Sequence, residues 1–282
     1  MSADTSEKEL AATLPLRIDA RVLSNQADVE GGANWRMTLR CPGFGDFAPG
    51  QFVMLSAGAL TAVRRHDPLL PRPMAIYRTV ACAGGSDVEV LYKVHGRGTA
   101  LLAEARAGEC VRLIGPLGTP FPLPEAGQRA ILVGGGTGIA SLFELTARAQ
   151  TASQVDVLLG ARSAGDLMGD ADFEKLGVEL RIATEDGSRG SRGLVTALLE
   201  TALDASPGAL VYACGPTPMM RACAEICETR GVRCVVSLEN TMACGFGVCL
   251  GCAAPLAEGG FALVCRHGPV FDSAEVAWEG LP

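Results

Sequence analysis

Hydrophobic and polar positions alternate over short runs from about Leu16 to Leu123: "RIDARVLSNQ", "NWRMTLRC", "GQFVMLSA", "PRPMAIYRTV", "DVEVLYKV" and "ECVRLIGPLG". Period-two alternation broken by Gly and Pro predicts β-strands, and six such runs in succession predict a small antiparallel barrel or sandwich. One helical stretch, "TALLAEARA", interrupts them. After the breaker "GTPFPLPEAGQ" the pattern changes to apolar strands followed by amphipathic helices: "RAILVGGG" then "GIASLFELTARAQT", "QVDVLLGA" then "AGDLMGDADFEKL", "GALVYACG" then "TPMMRACAEICETRG". That alternation predicts a parallel sheet with helices on both faces. From Thr241 onward periodicity is lost while Gly and Cys become dense.

The expected organisation is therefore multidomain. It comprises a flexible tail over residues 1–14, an antiparallel β-barrel over 15–125, an α/β parallel-sheet domain over 126–240 and a small unit over 241–282 organised by something other than a hydrophobic core. A chain of 282 residues with 48% hydrophobic and 20% charged residues is long enough for these cores. The formal net charge of -7 argues against nucleic acid and anionic membrane surfaces as partners. No run of eighteen apolar residues occurs, and the opening "MSADTSEKELAATL" lacks the apolar core of an export signal, so a cytoplasmic location is expected. In that reducing compartment the 11 cysteines point to metal or redox chemistry rather than a disulfide framework.

Cys244, Cys249 and Cys252 follow C-x4-C-x2-C, with Cys265 twelve intervening residues further on. This portion has the plant-type spacing of a [2Fe-2S] cluster, in which four thiolates hold two irons and loop glycines turn N–H groups toward sulfur. A structural zinc site spaces its cysteines in close pairs, which only Cys249 and Cys252 form. His267, like His66 and His95, reads as a surface or loop histidine.

"ILVGGGTGIASL" carries Gly134 to Gly138 between a strand and a helix, a turn whose backbone can approach a pyrophosphate. It departs from the strict dinucleotide fingerprint, and such a turn is also built for structural reasons alone. "YACGPTPMMRA" places Cys214, Gly215 and Pro216 at the carboxyl end of a strand, where α/β sheets bind ligands; a buried thiol before a proline-started helix is the plainer reading. "TEDGSRGSRGLVT", with Asp186, serves equally as a surface loop. In the first half, Arg72 and Pro73 sit in an extended segment, while Gly96, Gly98 and Thr99 precede a helix. Arginine and exposed N–H groups suit phosphate, although each stretch is also common without a ligand.

Taken in order, the Arg-Pro strand, the Gly-x-Gly-Thr turn, the "GGGTGIASL" turn, the Cys-Gly-Pro corner and the four-cysteine cluster resemble the ferredoxin-reductase superfamily. More narrowly, "SLENTMACGFGVCLGCAAP" with "VCRHGPVFD" is similar to the electron transfer subunits of type 1B dihydroorotate dehydrogenases, over about residues 15–282. The resemblance implies FAD on Arg72, Pro73, Met74, Ala75 and Ile76, with a second FAD segment at Tyr92, Lys93, Gly96, Gly98 and Thr99. The family often has Ser at the position of Ala75, so "MAI" lacks a hydroxyl near the flavin. It further implies NAD(H) on Gly135, Gly136, Thr137, Gly138, Asp186, Cys214, Gly215 and Pro216, and the [2Fe-2S] cluster on Cys244, Cys249, Cys252 and Cys265.

The implied partner is an FMN-containing dihydroorotate dehydrogenase catalytic subunit in a two-plus-two heterotetramer; no candidate base for dihydroorotate is found here. The same module in a cytoplasmic hydrogenase, sulfite reductase or ferredoxin-dependent transhydrogenase is the alternative. A zinc-bound interaction protein is the non-enzymatic one. NADH is implied over NADPH, although Arg162 and Ser163 after the second strand of the sheet form a pair that could meet a 2′-phosphate.

Overall fold

The computed structural model describes residues 15–28, 31–60 and 70–281. The expected tail and His66 lie outside the described residues. The first half forms β1 (Leu16–Ala27), β2 (Asn34–Pro42), β3 (Phe52–Leu55), β4 (Arg72–Ala75), β5 (Arg78–Cys82) and β6 (Gly85–Lys93), then α1 (Arg97–Ala103) and β7 (Cys110–Leu117). All seven strands pair antiparallel in one curled sheet of order β4-β3-β7-β1-β2-β6-β5. The single run "PRPMAIYRTV" is two strands, because Ile76 and Tyr77 leave the ladder to bury their side chains, Ile76 in the barrel core and Tyr77 against the second domain.

The second half continues with β8 (Ala130–Gly135), α2 (Ile139–Ala149), β9 (Val155–Ala161), α3 (Asp170–Leu176), β10 (Glu179–Thr184), β11 (Ser191–Arg192), α4 (Val195–Ala205), β12 (Leu210–Cys214), α5 (Thr217–Thr229) and β13 (Cys234–Ser237). "AGDLMGDADFEKL" forms a 3-10 turn at Ala164–Asp166 and the short α3 rather than one helix. The break is Gly169, whose φ of +66° is left-handed and whose absent Cβ leaves room for the Tyr77 hydroxyl at 2.8 Å.

The last segment adds a hairpin of β14 (Ala253–Pro255) and β15 (Phe261–Leu263), then β16 (Val270–Asp272). β16 pairs antiparallel with β13, so the terminal segment returns to the edge of a parallel sheet of order β11-β10-β9-β8-β12-β13-β16. Among the described residues no helix is long and apolar enough to cross a membrane.

A polar network joins the two larger domains. Asp172 of α3 accepts from Arg36 at 2.8 Å and from the Tyr77 hydroxyl at 3.1 Å, while Glu89 is held by Arg36 and Arg78. Tyr77 stacks on Phe143 of α2 with ring centroids 4.5 Å apart. Nearer the clefts, Lys93 donates to Asp166 at 2.6 Å and the Asn34 amide to the Leu167 carbonyl at 3.1 Å. Directional contacts of this kind fix the angle between domains as well as their distance.

Candidate functional site

Two clefts open along the domain boundary. The first, of about 580 Å³, lies between the barrel edge and the carboxyl ends of β12 and β13. Arg72, Pro73, Met74 and Ala75 line it from β4, Tyr92, Lys93 and Thr99 from the far side, Cys214 and Ser237 from the second domain, and Met242 from the segment that follows it. The Arg72 guanidinium lies against Gly98, where a Cβ would come within 2.5 Å of Nε, so any side chain at this position would displace the guanidinium. Thr99 accepts from the His95 N–H at 2.7 Å and shapes the turn before α1, while the Tyr92 hydroxyl donates to Asn25 at 2.8 Å. The wall is thus an extended apolar strand with a cation at one end, a form suited to a planar ring system carrying phosphates.

The second cleft, of about 750 Å³, runs over the carboxyl ends of β8, β9 and β10. Gly135, Gly136 and Thr137 form its floor with Gly215 and Pro216 beside them. Gly138 stands behind, because a Cβ there would meet the Cys214 carbonyl carbon and oxygen at 2.4 Å. The β8 and β12 turns therefore pack backbone against backbone at the cleft floor, the close approach that a dinucleotide-binding turn needs to reach a pyrophosphate.

Asp186 stands apart from the cleft wall: its carboxylate accepts from the Ser188 N–H at 2.9 Å and the Ser188 hydroxyl at 2.6 Å, which holds it below the usual carboxylate range. Glu185, the preceding residue, lines the cleft in its place. Arg162 is opposed by Asp166 at 3.4 Å, so an acid already faces the cation that could meet a 2′-phosphate. Ile76 faces the barrel core, and Cys214 lines the first cleft rather than the second. Asn34, Leu194, Met219 and Glu239 also line the second cleft, and nothing in their local sequence marks them.

The four thiols gather beyond the first cleft. Asn240, Thr241 and Met242 line that cleft and the chain then passes directly into the Cys244 loop. Gly245, at φ +84°, lets the loop sit on Met54 of β3. Cys252 and Cys265 are buried, Cys244 is half-buried and Cys249 is exposed.

Backbone N–H groups reach the sulfurs: Gly247 donates to Cys265 at 3.1 Å, Cys265 to Cys252 at 3.4 Å and Gly251 to Cys249 at 3.5 Å. Burial opposes ionisation of Cys244, yet the N–H groups of Cys249, Phe246 and Val248 pull it down to about 6. Cys265 is pushed up to about 12 by burial and by Cys252 beside it. Among the described residues no three His, Cys, Asp or Glu side chains converge as they would on a single ion. The thiols instead stand as two neighbouring pairs, Cys244 beside Cys249 and Cys252 beside Cys265, which suits a two-iron cluster with N–H donors to its sulfurs. Phe246, Val248 and Leu250 of the loop and Phe261 of the hairpin are exposed around it.

Residues 239–277 match the iron–sulfur cluster binding domain of dihydroorotate dehydrogenase B, and residues 132–225 match the oxidoreductase NAD-binding domain. The chain is 37% identical over 268 residues to the dihydroorotate dehydrogenase B (NAD(+)) electron transfer subunit of Caldanaerobacter subterraneus, covering 92% of this chain and 98% of that one. It is 40% identical over 235 residues to the protein of the same name from Bacillus caldolyticus, covering 81% and 86%. Among solved structures, one described as the NADH-dependent reduced ferredoxin-NADP oxidoreductase of flavin-based electron bifurcation superposes with a TM-score of 0.79 at 26% identity, covering 94% of this chain and 91% of that one. With the fold, both clefts and the thiol loop in the same order as the sequence resemblance, the chain belongs to the family of dihydroorotate dehydrogenase B (NAD(+)) electron transfer subunits.

Proposed function

We propose that the chain carries electrons between NAD(H) and an FMN-containing dihydroorotate dehydrogenase catalytic subunit, in a cytoplasmic two-plus-two assembly, through FAD and a [2Fe-2S] cluster. The observation that supports this most is continuity: the two clefts share one wall, and the segment that closes the flavin cleft runs into the cysteine loop. Flavin exchanges two electrons with nicotinamide and one at a time with an iron–sulfur cluster, which is why both groups are needed.

The chain's own residues supply position and exclusion of water. Arg72, with Gly98 beneath it, holds the flavin pyrophosphate, and Pro73, Met74, Ala75, Tyr92, Lys93 and Thr99 border its ring. Ala75 offers no hydroxyl, so only backbone groups of β4 would be available to the ring there. Gly135, Gly136, Thr137, Gly215 and Pro216 form the dinucleotide floor, with Gly138 and Cys214 packed behind. Glu185, which lines the cleft where Asp186 does not, together with Asp166 opposing Arg162 disfavours a 2′-phosphate. Cys244, Cys249, Cys252 and Cys265 would together hold the two irons of the cluster. The exposed apolar side chains around Cys249 form the docking face for the partner, since a cluster must lie near its acceptor.

Purified anaerobically, the chain should carry flavin and iron, reduce dyes with NADH and fail to turn dihydroorotate into orotate by itself. Orotate formation by the chain alone overturns the subunit assignment. The likeness to the ferredoxin-NADP oxidoreductase supports a second reading, in which the same module serves another acceptor. Co-purification from the native host separates the two by the identity of the bound protein.

A further inference from the structure

Four residues line both clefts: Lys93, Thr137, Pro216 and Glu239. They ring the throat where the clefts meet. Of the two ionisable members, Lys93 is already engaged, its ammonium 2.6 Å from Asp166. Glu239 is different. Its one hydrogen bond among the described residues is from the Thr137 hydroxyl, long at 3.4 Å, and none of the ion pairs among those residues includes it. Behind it lie the buried Cys214 thiol and the hydroxyls of Ser141 and Ser237, which bring no positive charge.

An acid so placed does little for the fold. Its bond to Thr137 is weak, and the protein packed around it raises its pKa, an effect the Thr137 hydroxyl offsets only in part. Yet its carboxyl is open to solvent in the clefts, so a ring seated on either side would remove its remaining water. Desolvated without a partner, a carboxylate is costly; opposite a cation or an N–H donor it becomes a strong contact. An oxidised nicotinamide supplies both, a cationic ring and a carboxamide NH2.

We propose that Glu239 is the residue that binds the nicotinamide end of the dinucleotide at the throat, its carboxylate facing the cationic ring and accepting from the carboxamide. The proposal rests on the reading of the second cleft as the NAD(H) site and of the first as the flavin site. It places Glu239, which opens the cluster segment, in contact with the substrate at the opposite end of the electron path.

The test is calorimetric titration of the oxidised, flavin-loaded full chain with NAD+ and, separately, with ADP-ribose, which keeps the adenosine and pyrophosphate and lacks the nicotinamide. Glu239→Ala should weaken NAD+ binding about tenfold while ADP-ribose binding stays within about twofold. Glu239→Gln, isosteric and neutral, keeps an acceptor oxygen and should fall between; it also carries the test if the alanine variant does not fold. Equal losses for both ligands, or no loss for either, overturn the proposal. A wild-type chain that binds neither ligand overturns the dinucleotide reading itself, and the proposal with it.

Discussion

Gly245 is where the cluster loop rests on the barrel, and Gly245→Ala isolates the contribution of that seat. A Cβ at this position would lie 2.4 Å from Met54 Cγ and 2.8 Å from its Sδ, with Leu117 Cδ1 at 3.3 Å. Ordinary contact begins at 3.4 Å, so the loop or Met54 must yield by about 1 Å, which is 3.4 less 2.4. Met54 is fully buried in β3 and has little room to move. The left-handed backbone, φ +84°, adds ~1–2 kcal/mol for any residue with a Cβ, and overpacking adds ~1–3 kcal/mol.

The loop is less constrained than the barrel, so most of this cost should appear as displacement of the Cys244 segment from the flavin cleft. Electron tunnelling falls steeply with distance, whereas hydride transfer at the other end of the flavin is untouched. In anaerobic stopped flow, flavin bleaching by NADH should stay within about twofold of wild type, while reduction of the cluster, followed by its EPR signal, slows or the cluster is lost. Met54→Ala in the same chain removes the steric part and leaves the backbone strain, so it should restore cluster reduction in part. A Gly245→Ala chain with normal iron content and cluster reduction as fast as wild type would refute the reasoning.

Cys249→Ser removes the exposed ligand of the loop, and iron content should fall while NADH still bleaches the flavin; a full cluster signal in that variant contradicts the ligand set. Val248 is 74% exposed beside Cys249, so Val248→Asp should weaken association with the catalytic subunit at least tenfold on gel filtration or calorimetry while dye reduction by the chain alone is unchanged. Asp172→Ala should lower stability by about 2 kcal/mol in denaturant titration, less than the ~3–5 kcal/mol of a fully buried pair because Arg36 keeps some solvent contact. Burial raises the Asp172 pKa, but hydrogen bonds from Lys175 and Arg36 and the charges of Arg36 and Arg78 lower it further, to a net depression. A depressed carboxylate stabilises the fold above its unfolded value near 4 and ceases to do so as pH falls through the folded one. The stability difference between wild type and Asp172→Ala should therefore be full at pH 7 and shrink below pH ~4; a pH-independent difference would show that Asp172 acts through packing alone.

The strands of the first half were legible because they bury one face with period two, and those of the second because helices on both sides bury them whole as short apolar runs between amphipathic helices. What the pattern missed are places where a distant residue decides. "PRPMAIYRTV" reads as one strand until Tyr77 turns toward Phe143 and Asp172 of the other domain. "AGDLMGDADFEKL" has helical spacing, but Gly169 gives way to that same tyrosine. Likewise the return of β16 to pair with β13 depends on a sheet edge more than thirty residues earlier, and the Gly-rich stretch before it gives no sign of it. The cysteine spacing and the glycine turns were readable because cluster and phosphate binding constrain local sequence. Asp186 and Glu185 are neighbours, and only the bond of Asp186 to Ser188 shows which of them faces the cleft. Glu239 lies within "SLENTMACG", yet its place at the throat depends on β8 and β12 converging beside it.

The central claim is that this chain joins a dihydroorotate-oxidising subunit to NAD+. Its most direct measurement is anaerobic NADH formation from dihydroorotate and NAD+ by the complex isolated with this chain from its native host, repeated with the chain omitted and then added back. The account predicts NADH formation that is lost on omission and restored on addition. A complex that makes no NADH from dihydroorotate, while NADH still reduces dyes through the same chain, would contradict it.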